Sequence, residues 1–375
     1  MLPDIFIFLH YARRRYLIKP WQQWLWWVPC AVMVLYTLAL NHIRSFAPSN
    51  LKWLNLYLVL LGTIVAPMAI FTFCSFLGWL VRRALHKRRN YGHITGLVLS
   101  IIAVAYYAYG LTFGVARIKV RHVHVYYANL PKAFDGYRIA QISDVHCGTF
   151  QGWRRGILRH EIDSVRRQHA DLVVMTGDMQ NLRPGEVARL MPILRRLPYT
   201  YFVLGNHDYA EYVKVPLQKE REMRARLLKL EGELGSTLCN TAVPLTRGRD
   251  TLWLAGEEND GLPPFPKHAN LHKTLSKVPP HGFVVMLQHD PTAWTRHLLH
   301  DPRVWLTLSG HTHGGQMQVL GWRPSMLSTH YDLGLFCRNG RYLYVNAGLG
   351  GLVPFRLNMP NEITVITLHK KTNNK

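Results

Sequence analysis

The stretch Tyr137-Arg138-Ile139-Ala140-Gln141-Ile142-Ser143-Asp144-Val145-His146 decides how this chain is read. Residues 137–143 form a largely apolar run of strand length, which predicts a buried β-strand. The run ends in two polar groups, Asp144 and His146. In an extended segment residues i and i+2 share one face, so both side chains can reach one ion. The arrangement recurs downstream. Leu172–Thr176 leads into Gly177-Asp178, Tyr201–Leu204 into Gly205-Asn206-His207-Asp208, Phe283–Gln288 into His289-Asp290-Pro291, and Trp305–Leu308 into Gly310-His311-Thr312-His313-Gly314. Polar groups delivered together at strand ends are how an α/β scaffold builds a site.

Asp144, His146, Asp178, Asn206, His289, His311 and His313 offer oxygen and imidazole nitrogen but no thiolate. That set suits divalent Mn, Fe or Zn and argues against a structural cysteine site. Seven ligands are too many for one ion and fit two that share a bridging carboxylate. Such a pair, roughly 3.5–4 Å apart, clamps the attacking and leaving oxygens of a phosphoryl displacement and yields a hydroxide nucleophile near neutral pH. Gly177, Gly205, Gly310, Gly314 and Gly315 permit tight turns beside the ligands.

In order and spacing, Asp144-x-His146, Gly177-Asp178, Gly205-Asn206-His207-Asp208, His289 and Gly310-His311-Thr312-His313 resemble the calcineurin-like metallophosphoesterases, over about residues 136–369. The resemblance implies two packed mixed sheets flanked by helices, a four-layer α/β sandwich. It implies one metal at Asp144, His146, Asp178 and His313, and a second at Asp178, Asn206, His289 and His311, with Asp178 bridging. By the same carry-over His207 protonates the leaving oxygen and Asp208 orients its imidazole. Gly314-Gly315-Gln316, Gly348-Leu349-Gly350, Pro354-Phe355-Arg356 and Asn361-Glu362-Ile363 look most like a membrane-associated bacterial branch.

Taken singly the motifs say less. A Gly-Asp pair is usually a turn, and Asp290 could cap a helix starting near Thr292. His122, His124, His281, His297, His300 and His330 lack motif context and read as surface or packing residues, with His330 the candidate to line a substrate pocket. The five cysteines show no metal or disulfide spacing.

The N-terminal third differs. Residues 21–40, 54–81 and 94–116 are three apolar runs, each long enough to span a bilayer, and Trp21, Trp24, Trp26 and Trp27 suit an interfacial belt. Pro3 to Leu9 is too short to cross. Residues 1–116 thus form a transmembrane region and 117–375 a catalytic domain. Of the chain's 45 Lys+Arg and 22 Asp+Glu, residues 1–116 hold eleven and one. The bases cluster at Arg13–Lys19 and Arg82–Arg89, whereas only Arg44 and Lys52 lie between the first two spans. The positive-inside rule then puts the N-terminus and the second loop in the cytoplasm and residues 117–375 outside the inner (cell) membrane; an extra span through Pro3–Leu9 would flip this. Arg13-Arg14-Arg15-Tyr16-Leu17 loosely resembles a twin-arginine signal without a cleavage site, so a retained anchor is expected.

Residues 117–375 keep an excess of bases, but no nucleic-acid motif accompanies it, and attraction to anionic head groups is the preferred use. Strand runs at 137–143, 172–176, 201–204, 251–255, 283–288 and 305–308 alternate with helical patterns near 153–169, 185–197, 218–234, 267–276 and 291–300, and Lys370–Lys375 reads as a frayed tail. The expectation is a membrane-anchored, two-metal phosphoesterase acting on a phosphodiester or lipid-linked phosphate. Alternatives are a UDP-2,3-diacylglucosamine diphosphatase-like lipid A enzyme, whose cytoplasmic substrate an outward domain would exclude, and a non-catalytic metal-loaded membrane scaffold.

Overall fold

A computed structural model describes residues 1–13, 16, 19–43 and 51–371, and the chain divides into two compact units, Met1–Thr112 and Phe113–Lys375. Arg14, Arg15, Leu17 and Arg44, together with residues 372–375 of the tail, lie outside the described residues.

The first unit is helical. Pro20–Asn41, Leu51–Ala84 and Gly92–Ala116 are each long and apolar enough to cross a membrane, and a shorter apolar helix spans Leu2–Ala12. Pro20 suits the first helical position because its missing N–H has no helical partner there, and Gln22 Oε1 accepts from Lys19 N at 3.0 Å. Trp21 and Trp24 are exposed, while Trp27 packs on Phe8. The last two long helices meet along small residues. A Cβ on Gly92 would stand 2.1 Å from the Cys74 carbonyl oxygen, and one on Gly96 would stand 3.0 Å from that of Phe71. Ser100 Oγ donates to Pro67 O at 2.7 Å, and Tyr107 Oη donates to Leu58 O at 2.8 Å. Where lipid removes the hydrophobic drive between helices, such close backbone approach and side-chain hydrogen bonds hold them together.

The second unit is the four-layer sandwich. One six-stranded sheet has the order β1 (Ile118–Tyr127), β12 (Asn361–Lys370), β2 (Arg138–Ile142), β3 (Leu172–Thr176), β4 (Thr200–Val203), β5 (Gly235–Thr237). The other runs β10 (Gly334–Arg338), β11 (Arg341–Val345), β9 (Val304–Ser309), β8 (Val284–Leu287), β7 (Asp250–Gly256), β6 (Thr241–Arg247). Strands β2 to β5 are mutually parallel, as are β7, β8, β9 and β11.

The central strands are buried on both faces, which is why they read as unbroken apolar runs. Along β3, Val174 faces the core between the sheets with Ile139, Leu254, Val285 and Leu306, while Val173 and Met175 face helix residues Leu158, Ile162 and Leu227. A third cluster, including Trp294 and Leu298, covers the far side of the second sheet. The helices expected near 153–169 and 218–234 are Arg154–Arg166 and Leu217–Gly232. The segment 185–197 breaks into Pro184–Ala188 and Met191–Leu194, and the other two expected helices shorten to Leu271–Thr274 and Ala293–Arg296.

Candidate metal centre

The carboxyl ends of β2, β3 and β4 in one sheet and of β8 and β9 in the other carry the five motifs. Asp144, His146, Asp178, His311 and His313 all have positive φ, between 48° and 73°. Left-handed backbone costs a non-glycine residue about 1 kcal/mol or more and persists only where the surroundings impose it. Gly205 and Gly310 make the approach possible, since a Cβ on either would stand 2.2 Å from Asp178 Oδ1 or 2.3 Å from Asp144 Oδ2.

The seven side chains converge. Asp144, His146 and His313 place one ligand atom each within 4.8 Å of one another, and so do Asp144, Asp178 and His289. Asp178 Oδ2 lies 3.4 Å from His146 Nε2 and 3.3 Å from His289 Nε2. Asn206 Oδ1 lies 2.8 Å from His311 Nδ1 and 3.1 Å from His289 Nε2, and His313 Nε2 lies 3.4 Å from Asp144 Oδ1. His289 Nδ1–H donates to Thr176 O at 2.7 Å, which leaves Nε2 to face Asp178. Burial holds the His146 imidazole neutral, with its pKa down to about 3, and also lowers that of His311, to about 4. Burial pushes Asp144 up to about 7, with the Asp178 charge adding to the rise. At His289 burial opposes protonation, yet the Asp178 charge prevails and raises it to about 10.

These residues fit divalent cations. His146 Nδ1 and Nε2 and His313 Nδ1 are buried without a hydrogen-bond partner among the described residues. Buried imidazole nitrogens are ordinarily satisfied, and neutral imidazoles beside two buried carboxylates are what a borderline ion takes.

Two family models match the chain. Residues 137–315 match the calcineurin-like phosphoesterase model, and residues 1–115 match 4TM_phosphoesterase, a calcineurin-like phosphoesterase transmembrane domain. The chain belongs to the calcineurin-like metallophosphoesterases. Its relatives include the metallophosphoesterase YkuE of Bacillus subtilis, 29% identical over 65% of this chain and 82% of that protein. A zebrafish transmembrane protein with a metallophosphoesterase domain is 30% identical over 74% of this chain, which spans 63% of that protein's length. The UDP-2,3-diacylglucosamine pyrophosphatase LpxG of Chlamydia muridarum is 29% identical over 63% of this chain and 86% of that protein. A solved zebrafish dimetal phosphatase aligns with 57% of this chain at 14% identity and a TM-score of 0.35.

In this metallophosphoesterase Asp208 acts differently from expectation. Its two oxygens accept backbone N–H groups from Asp178, Met179, Gln180 and Gly205 at 2.8–3.2 Å. His207 Nδ1–H instead donates to Asn181 O at 2.7 Å, and its ring abuts those of His146 and Tyr212. Asp208 therefore shapes the turn that carries Asp178. Asp290 Oδ1 accepts from Thr292 N at 2.8 Å, closing a turn just ahead of the helix. His330 meets Tyr331 edge-on and Phe336 at a tilt, and His297 pairs with Glu257.

Three residues near the centre, Asn181, Tyr212 and Phe265, carry no motif of their own, and a fourth, Arg356, comes from the Pro354-Phe355-Arg356 segment. Asn181 orients His207, Tyr212 Oη accepts from Asn206 Nδ2 at 2.9 Å, and Phe265 sets its ring edge on His311. Arg356, fully buried, donates from Nη2 to Gly348 O and Gly350 O, and Gly350 N donates to Asp144 O at 2.8 Å. For Asn181 the only signal in the sequence is its place three residues after Asp178.

Proposed function

We propose that this membrane-held enzyme hydrolyses a phosphodiester or lipid-linked phosphate ester with two divalent ions, Mn, Fe or Zn. The observation that carries the reading is the shared position of Asp178 Oδ2 between His146 Nε2 and His289 Nε2. Asp144, His146, Asp178 and His313 would hold one ion, and Asp178, Asn206, His289 and His311 the other. Bound there, the ions supply an activated water and neutralise charge that builds on the phosphoryl oxygens. The chain supplies the rest. The Asn181 carbonyl keeps one proton on His207 Nδ1 and fixes the ring, so that the imidazolium form delivers its second proton, on Nε2, to the leaving oxygen and returns to the neutral Nδ1–H tautomer. Burial of Asp144, His146 and Asp178 excludes water and strengthens each charge interaction in the centre.

The distribution of bases in residues 1–116 supports a catalytic unit on the outer side of the cell membrane. The helix Leu2–Ala12 is too short to span, at about 1.5 Å per residue. The expected flip by an extra span through Pro3–Leu9 does not follow: with the basic segments 13–19 and 82–89 kept cytoplasmic, a fourth span there would move the N-terminus to the other side and leave the catalytic unit where it is. The likeness to LpxG supports a second reading, cleavage of a UDP-diacylglucosamine-type diphosphate. A reporter fused after residue 375 separates the two, because a cytoplasmic signal excludes the outward reading.

The enzyme test is turnover of bis-p-nitrophenyl phosphate and p-nitrophenyl phosphate by the full chain with Mn. His207→Ala is expected to keep its metal and lose about 10²–10⁴-fold in rate, the usual worth of a positioned proton donor. Asp178→Ala is expected to lose both metal and turnover. Undiminished rate in His207→Ala would refute its assigned role.

A further inference from the structure

Just beyond His313 the chain forms a two-residue hairpin turn, in which Val319 and Trp322 exchange both backbone hydrogen bonds at 3.0 Å. Leu320, at its tip, has φ +49° and is fully exposed, at 103%. Gly321 follows at φ +87°, as this turn type requires. Glycine or asparagine is the ordinary choice at the first position, and leucine is strained there. The strain recovers nothing inside this unit, because the side chain touches water. Val319, Trp322, Met326 and Leu327 are exposed as well, Leu327 at 80%. Soluble surfaces tolerate scattered apolar residues, but five within nine positions around one turn mark an interaction site.

The base beneath this tip is rigid. Arg323 forms a bidentate pair with the Asp332 carboxylate at 2.6 and 3.0 Å, and Thr312 Oγ1, inside the His311–His313 motif, donates to Asp332 O. Gln316 Nε2 donates to Val353 O and Phe355 O, and Gln318 N donates to Leu357 O. The tip is thus an apolar projection fixed by a short braced path to the metal-binding histidines.

We infer that the Val319–Leu327 tip inserts into the head-group and acyl boundary of an anionic bilayer and so docks the catalytic unit on the lipid surface. Three observations select lipid over other occupants. Tryptophan beside leucine and methionine is the composition of an interfacial insertion. Candidate spans precede this unit in the same chain, so a bilayer is always at hand. Residues 117–375 also hold 34 of the chain's 45 bases against 21 of its 22 acids, an excess that anionic head groups attract. The inference goes beyond the proposed reaction and does not require the substrate to be a lipid.

The test uses the full chain in nanodiscs of phosphatidylglycerol and phosphatidylcholine. Leu320→Cys, made with Cys337→Ser to remove the exposed native thiol, is labelled with bimane; unlabelled-site background comes from Cys337→Ser alone. The expected result is blue-shifted emission that falls when the lipids are brominated. Emission as in water overturns the inference. Emission shielded from water but insensitive to bromolipid also overturns it, since a protein surface, from this chain or a second copy, would then cover the tip. Leu327→Cys repeats the measurement should Leu320→Cys fail to fold, and turnover of p-nitrophenyl phosphate reports independently on the reaction.

Discussion

The Asp208 carboxylate accepts the backbone N–H of Asp178 at 2.8 Å. It also accepts from Met179, Gln180 and Gly205, and so holds the left-handed turn that aims Asp178 at both halves of the centre. Asparagine would keep the size but point an NH₂ at backbone donors. Asp208→Asn should weaken Mn binding and lower kcat by about 10–100-fold, the usual cost of losing a group that orients ligands. Metal titration and steady-state kinetics check this. A change in KM alone, with Mn affinity intact, would remove Asp208 from this positioning role.

Gly310 tests how closely the sheets must meet. Its Cβ would stand 1.9 Å from Ser143 Oγ and 2.3 Å from Asp144 Oδ2. The effect is steric, since Gly310 is not among the positive-φ glycines. Gly310→Ala should displace Asp144 and reduce kcat by about 10² or more, as misplacements near 1 Å do. Gly156→Ala, whose Cβ meets nothing within 4 Å, should leave turnover unchanged. Equal activity in both would show that the centre tolerates the shift.

The strands beneath the motifs were legible because parallel strands buried on both faces, such as Leu172–Thr176, are continuously apolar. Strand β1 was not. It mixes Lys119, Arg121, His122 and His124 with apolar residues and lies at a sheet edge, and its partner β12 starts at Asn361, far along the chain. Only closure of the fold brings the two together. The converging side chains of the centre could be read from motif order, but the role of Asp208 could not. A carboxylate bonded to backbone amides has no sequence signature, and neither does the support that Arg356 gives the Gly348–Gly350 loop.

Glu161 gives the catalytic unit a pH-dependent stability away from the ligands. It is fully buried; Oε1 accepts from Asn361 Nδ2 at 2.6 Å, and Oε2 has no partner among the described residues. Burial raises its pKa from 4.5 to about 8, against the Asn361 hydrogen bond and the Arg356 charge. The folded state therefore keeps a proton that the unfolded state releases, and stability falls as pH rises from about 4.5 to about 8. The cost at pH 8 is at most about 4 kcal/mol by linkage. Glu161→Gln should raise the Tm of the unit at pH 8 and change it little at pH 5. A Tm difference independent of pH would mean that Glu161 is ionised when folded.

The membrane unit offers a comparison between two glycines. A Cβ on Gly92 would meet the Cys74 backbone carbonyl at 2.1 Å, whereas one on Gly62 would meet the Tyr107 ring at 2.4 Å. A carbonyl inside a helix moves only with its helix, but a ring can rotate aside. That rotation gives up the hydrogen bond from Tyr107 Oη to Leu58 O, a loss of about 1 kcal/mol. Gly92→Ala must separate the two long helices, and overpacking of that kind costs about 1–3 kcal/mol. Thermal unfolding of the full chain in detergent should therefore rank Gly92→Ala below Gly62→Ala, with both below the unmodified chain. The reverse order would mean that Tyr107, rather than the Gly92 seam, holds the helices together.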